Sequence, residues 1–322
     1  MPDRLRRLRR TPGLRDLVRE TRVHPQSLIF PLFVAANARE PEPIESMPGQ
    51  FRLPIASVPN AACRAKDAGI GGILLFGLPS KKDERASAAI DPNGIVQDAI
   101  KAAKDAVPEL VVMTDVCVCA YTPHGHCGVL RGDEVDNDAS LDLLSEMAVS
   151  HAQAGADVVA PSAMMDRQVG AIREALGSAG HESTTLMAYS AKFASAFYGP
   201  FRDAADSSPS FGNRASYQLD PANLRHAKRE LLADVREGAD ILMVKPGLAY
   251  LDVVRLARDV TDLPIAVYNV SGEYAMVKAA SERGWLDERG VVLETLTAFR
   301  RAGADLIITY HAMDAAQWLK DI

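Results

Sequence analysis

No apolar run in this sequence approaches the ~20 residues that a membrane-spanning helix needs. An excess of positive charge is missing too: 36 Lys and Arg stand against 42 Asp and Glu, for a formal net charge of -6. A protein whose main partner is nucleic acid carries a broad basic surface, so neither membrane nor nucleic acid is an expected partner. There is no G-x-G-x-x-G and no P-loop, which removes the commonest phosphate cradles of open α/β sheets. Four cysteines in 322 residues are too few and too bunched for a disulfide framework, and in a reducing compartment a bunch suggests metal binding or catalysis. The arginine-rich N-terminus, MPDRLRRLRR, is followed by neither an apolar core nor a small-residue cleavage site, so a soluble, cytoplasmic chain is expected. That arm, residues 1–25, reads either as a frayed terminus or as an extension that wraps a neighbouring subunit.

What the sequence does contain is repetition. Eight short β-branched runs alternate with helical patterns: 27–34, 71–77, 110–118, 157–162, 185–192, 240–247, 263–272 and 305–311. Being apolar on successive residues, they suit parallel strands buried on both faces. Three helix patterns (139–155, 221–238, 287–303) close on AGAD, EGAD and AGAD, each leading directly into a strand, with glycine suited to the left-handed turn that ends a helix. Eight strands with following helices predict one (β/α)8 TIM barrel over 1–322, functional side chains lying at the C-terminal ends of the strands.

The conspicuous residues fall at those ends. Cys117 and Cys119 close the third run, and residues i and i+2 of extended chain point the same way. The turn-rich AYTPHGHCG that follows lets Cys127 join them. Three sulfurs favour zinc, as an open catalytic site, although His124 or His126 could close a structural Cys3His site and a metal-free redox cluster is the third reading. Asp115 shares their side, as a proton relay or a loop-capping carboxylate. Lys192 and Lys245 end the fifth and sixth runs. A single such lysine usually binds phosphate or carboxylate; two neighbours, each helping to keep the other uncharged, point to imine formation with a ketone. A class I aldolase would need only one of them and no cysteine triad. Residues 197–220 read as an aromatic-containing lid in which Arg202 and Arg214 clamp a carboxylate or merely pair on the surface. Ser162, Ser271 and Tyr310 are strand-end polar groups that either serve the site or cap the next helix.

The segments DVCVCAYTPHGHCG, YSAKFASAFYGPFRDAA, LMVKPG, YNVSGEYAM and AGADLIITY resemble the signatures of the porphobilinogen synthase (5-aminolevulinate dehydratase) family, from arm to last helix. The resemblance implies a lyase of tetrapyrrole (heme) biosynthesis that condenses two 5-aminolevulinate molecules to porphobilinogen with loss of two waters. It implies a Schiff base on Lys245 for the first-bound substrate, whose carboxylate Ser271 and Tyr310 hold. It implies a second substrate on Lys192, bound by Arg202, Arg214 and Gln218, with Asp115 and Ser162 assisting. It also implies catalytic zinc on Cys117, Cys119 and Cys127 and a homo-octamer assembled through the arm, with hexamers or dimers as alternates; His126 is expected to stay outside the three-sulfur shell. Glu237 matches an allosteric magnesium ligand of some members, or is simply a surface carboxylate near a helix end. Arg167 stands where glycine is expected and His311 where an aromatic is more usual.

Overall fold

Each of the eight apolar runs becomes a strand: β1 (Leu28–Ala35), β2 (Gly72–Leu78), β3 (Val111–Val116), β4 (Val158–Pro161), β5 (Thr185–Lys192), β6 (Ile241–Lys245), β7 (Ile265–Asn269) and β8 (Leu306–Thr309). The structure is a computed structural model that describes residues 3–320. Every strand pairs in parallel with its sequence neighbour, and β8 closes on β1 through Leu28↔Ile307 and Ile29↔Ile308. The chain is a (β/α)8 barrel. Side chains of one parity, among them Ile29, Phe33, Leu74, Phe76, Met113, Met187, Met243 and Ile308, fill its interior, while the other parity packs beneath the helices. Run counting did not anticipate the short strands Glu42–Pro43 and Phe51–Leu53 appended to β1, nor the hairpin Leu130–Arg131 with Glu134–Val135.

The recurring GAD motif has a structural reason. Gly155, Gly238 and Gly303 all have positive φ, as a helix-ending glycine requires. The aspartate two residues on then turns back to the preceding strand. Asp157 accepts from Val112 N (2.8 Å), Asp240 from Leu186 N (2.8 Å) and Asp305 from Ile265 N (2.9 Å). A basic residue from a helix braces each carboxylate: Lys104 at 2.6 Å, Arg173 at 2.5 Å and Arg258 in close contact. The motif therefore clasps the N-terminal end of the barrel, opposite the mouth.

The arm is not extended throughout. A 3-10 turn (Leu5–Arg9) leads into a short helix (Pro12–Leu17) capped by Thr11, whose Oγ1 accepts from Leu14 N at 3.2 Å. No residue from 3 to 27 is buried; Met1 and Pro2 of the predicted arm lie outside the described residues.

Candidate active site

A β-bulge decides which way Lys192 points. Between β5 and β6 the register runs Met187↔Ile241, Ala188↔Leu242, then Ala191↔Val244 and Lys192↔Lys245, so β5 holds one residue more than its partner. Strict alternation from the inward Met187 and Tyr189 would turn Lys192 outward toward the helices. The extra residue reverses the parity and brings it inside, level with Lys245.

Both lysines are buried. Lys192 Nζ donates to Ser162 O at 2.5 Å. Lys245 Nζ is enclosed by rings, 4.2 Å from the centroid of Tyr268, 4.9 Å from Phe201, 5.2 Å from Tyr189 and 5.3 Å from Tyr198. Burial and then the neighbouring Lys192 charge bring the Lys245 ammonium down to about 7. Facing both lysines is Asp115, whose carboxyl is raised by burial against the opposing pull of Lys192, Lys245 and a hydrogen bond with Ser162. Asp115 is partly exposed, but its burial among apolar and aromatic side chains sets the direction of the shift.

Cys117, Cys119 and Cys127 meet beside this pair. Their sulfurs lie within 4.8 Å of one another, all buried, and Cys117 and Cys119 are 3.4 Å apart. Cys127 is held well below the usual thiol range because Cys117 and Cys119 donate to it; Cys117 is correspondingly raised. His126 is engaged elsewhere, its Nδ1 with Tyr217 OH and its Nε2 with Phe211 O, both at 3.1 Å. His124 Nδ1 accepts from His126 N at 3.0 Å.

The segment after Lys192 folds over the mouth as a turn (Ala196–Tyr198), a helix (Gly199–Ala204) and irregular chain. It is pinned to the cysteine loop, with Ser210 N donating to His124 O (3.0 Å) and Arg214 Nη2 to Gly125 O (2.8 Å) and Ser207 O (2.5 Å). Gly125 permits this approach: its φ is +69°, and a Cβ there would lie 2.4 Å from Ser208 O. The segment's own Gln218 Oε1 and Nε2, Arg214 Nε, Arg202 Nε and Ser207 Oγ are buried, none with a partner among the described residues. Buried polar atoms are rarely left unpaired. This concentration marks a place for a polar ligand.

The sequence profile of the Delta-aminolevulinic acid dehydratase family matches residues 2–318. The chain belongs to that family. It is 56% identical to the Delta-aminolevulinic acid dehydratase of Synechococcus elongatus over 320 residues, covering 98% of each chain. To the enzyme of Archaeoglobus fulgidus it is 53% identical over 317 residues, again covering 98% of each. Its fold superposes with a TM-score of 0.97, at 45% identity and covering 100% of this chain and 93% of the other, on the delta-aminolevulinic acid dehydratase (porphobilinogen synthase) of Toxoplasma gondii ME49, solved with the reaction product porphobilinogen. It is thus a lyase of the dehydratase family.

Within this dehydratase barrel the other predicted residues separate. Tyr310 is buried at the end of β8, its hydroxyl 3.0 Å from that of Tyr268. Ser271 begins the helix after β7, and its hydroxyl holds the lid, accepting from Phe201 N (2.9 Å) and donating to Phe197 O (3.3 Å). Glu237 lies away from the mouth, at the end of the helix Leu224–Glu237, where it accepts from Gly170 N at 3.1 Å. Arg167 has φ +67°, which accounts for the glycine expected there; its side chain is exposed. His311 is buried behind Tyr310. Motif reading missed the aromatic wall of Tyr189, Tyr198, Phe201 and Tyr268 around Lys245, as well as Gly125. Inward parity on β5 and β7 was the available signal for Tyr189 and Tyr268; the aromatic content of 197–220 marked the lid, but nothing local showed that its rings Tyr198 and Phe201 would close over Lys245.

Proposed function

We propose that the chain condenses two molecules of 5-aminolevulinate to porphobilinogen with loss of two waters, in tetrapyrrole (heme) biosynthesis. The observation that carries this reading is the pair of buried lysines in register, one inside an aromatic wall where burial and the Lys192 charge bring its ammonium down to about 7, so that a large share is free amine near neutral pH. The Lys245 amine adds its lone pair to a substrate ketone carbon, and the carbonyl oxygen leaves as water once protonated. The resulting iminium draws electrons from the adjacent C–H bond, so that carbon releases a proton and can attack the second substrate. Asp115, raised by its surroundings and facing both lysines, is placed to carry these protons. Lys192 serves the second substrate in the same way. Arg202, Arg214 and Gln218 bind that substrate, their unpartnered atoms supporting the role. Ser271 and Tyr310 hold the carboxylate of the first, Ser271 sharing its hydroxyl with the lid, and Ser162 positions Lys192 through its carbonyl.

The cysteine cluster fits a resident metal ion. Three buried sulfurs are gathered, one stabilised as thiolate, and His126 is committed to Tyr217 and Phe211. A soft three-sulfur set selects zinc over magnesium or manganese, and a set of three is characteristic of catalytic rather than structural sites. When bound there, zinc supplies Lewis acidity toward an oxygen of the second substrate. Our reading extends to magnesium at Glu237, which lines a 270 Å³ cavity with Asp166, Glu230 and Asp234. It also includes a cytoplasmic homo-octamer assembled through the arm, whose Leu5, Leu8 and Leu17 are exposed. Among the described residues no helix is long and apolar enough to cross a membrane.

The test is incubation with 5-aminolevulinate and a colour assay for porphobilinogen. Product should form with zinc present, disappear on complete chelation and return when zinc is restored. Absence of product with zinc defeats the assignment, and undiminished product after chelation defeats the zinc role.

A further inference from the structure

His311 takes no part in the imine chemistry, yet its setting is unusual for a core histidine. It directly precedes the last described helix (Ala312–Leu319), is 2% exposed, and has no hydrogen-bond partner at either ring nitrogen among the described residues. Tyr274 packs against the ring at 4.4 Å between centroids. By contrast His151, equally buried, engages Thr114 Oγ1 through Nδ1 at 3.0 Å. The His311 ring faces carboxylates instead: Nδ1 is 3.9 Å from Glu288 Oε1, and one donor atom each of Glu288, His311 and Asp314 lies within 4.8 Å of the other two.

We propose that Glu288, His311 and Asp314 bind a divalent transition ion, forming a second, sulfur-free metal site separate from the three cysteines. One imidazole and two carboxylates suit a borderline or hard ion such as Mn(II), Co(II) or Zn(II). Metal–ligand bonds of about 2.1 Å bring donors to roughly 3–4 Å apart, so the present spacing needs only a closure of about 1 Å. A route exists, since Asp314 lines a 780 Å³ cavity together with Lys278, Tyr274, Tyr310 and Gln50. The imidazole is available as a ligand, since both its ring nitrogens are buried without a hydrogen-bond partner among the described residues.

Lys278 occupies the position of a built-in counter-ion. Its Nζ is 2.5 Å from Glu288 Oε1 and 4.0 Å from Asp314 Oδ2. An incoming ion must therefore displace a charged lysine, which limits its affinity. Removing the lysine should strengthen binding, an effect opposite to that of removing a ligand.

Mn(II) is the probe, because carboxylate and imidazole take it in preference to thiolate. Full-length protein is titrated while the six-line electron paramagnetic resonance signal of the free ion is followed. The wild type should bind one more Mn(II) per chain than Asp314→Asn or His311→Phe, whereas Lys278→Met should bind the same number at least several-fold more tightly. Asp314 is half-exposed, so its variant leaves the core intact even if His311→Phe does not fold. Equal uptake by the wild type and Asp314→Asn overturns the proposal, as does weaker binding by Lys278→Met.

Discussion

The chemistry at Lys245 rests on placement. An amine with an ordinary lysine pKa near 10.4 is almost wholly protonated at neutral pH, whereas the aromatic wall and Lys192 bring this one to about 7. The sign gives a test. Below 7 the ammonium predominates, and the reactive amine increases about tenfold per pH unit until it saturates above the midpoint. Trapping of the substrate imine by cyanoborohydride should therefore rise with pH and level off just above 7; a rise continuing past pH 9 would show an ordinary lysine. Lys192→Met removes a cation that disfavours the Lys245 ammonium, so the midpoint should move upward. A midpoint that stays put or moves down would remove Lys192 from this role. Lys245→Met should abolish trapping of the first substrate altogether.

Secondary-structure elements succeed or fail here through single residues that set their approach. Gly125→Ala would meet both a left-handed backbone and Ser208 O at 2.4 Å, so the lid cannot seat on the cysteine loop. Turnover should fall by at least about tenfold, with faster proteolysis between residues 205 and 220, since lid closure completes the site. Gly132→Ala is the control: φ is +64° but nothing lies within 4 Å, so it should cost only about 1 kcal/mol of backbone strain and leave the lid unaffected. At the opposite end, Asp240→Ala should lower stability by about 1–3 kcal/mol in urea unfolding, with activity per folded molecule retained. Most of that cost is the orphaned Leu186 N–H, because the Arg173 pair is half-exposed and such pairs contribute about 0–1 kcal/mol. All eight barrel strands were legible in the sequence because strands buried on both faces read as unbroken apolar runs, and the GAD repeats marked their spacing. The inward turn of Lys192 was not legible, because an inserted residue in β5 shows only against its partner strand. The cysteines and lysines could be placed at the mouth, but their partners on the lid come from chain with no period of its own. Arg167 illustrates the converse: the resemblance led to an expectation of glycine without a reason, and the reason is a backbone φ of +67°, taken here by an arginine.

At the scale of the whole molecule, the two core clusters are built from the barrel, its helices and the segments over its mouth, and the described part of the arm contributes no buried residue. Leu5, Leu8 and Leu17 are 77%, 55% and 79% exposed. The helical turns that carry them have five and six residues, well short of the ~12–15 at which an isolated helix becomes even marginally stable in water. A conformation that local propensity cannot hold needs a surface to dock on, and three exposed leucines supply apolar side chains for one. Deleting residues 1–25 should therefore leave the barrel folded, with circular dichroism unchanged per residue outside the arm, while light scattering shows an assembly smaller than that of the full chain. Leu17→Glu should act in the same direction but less strongly, since it buries a charge at a single contact while the others persist. Equal masses for the full and shortened chains would remove the arm from assembly.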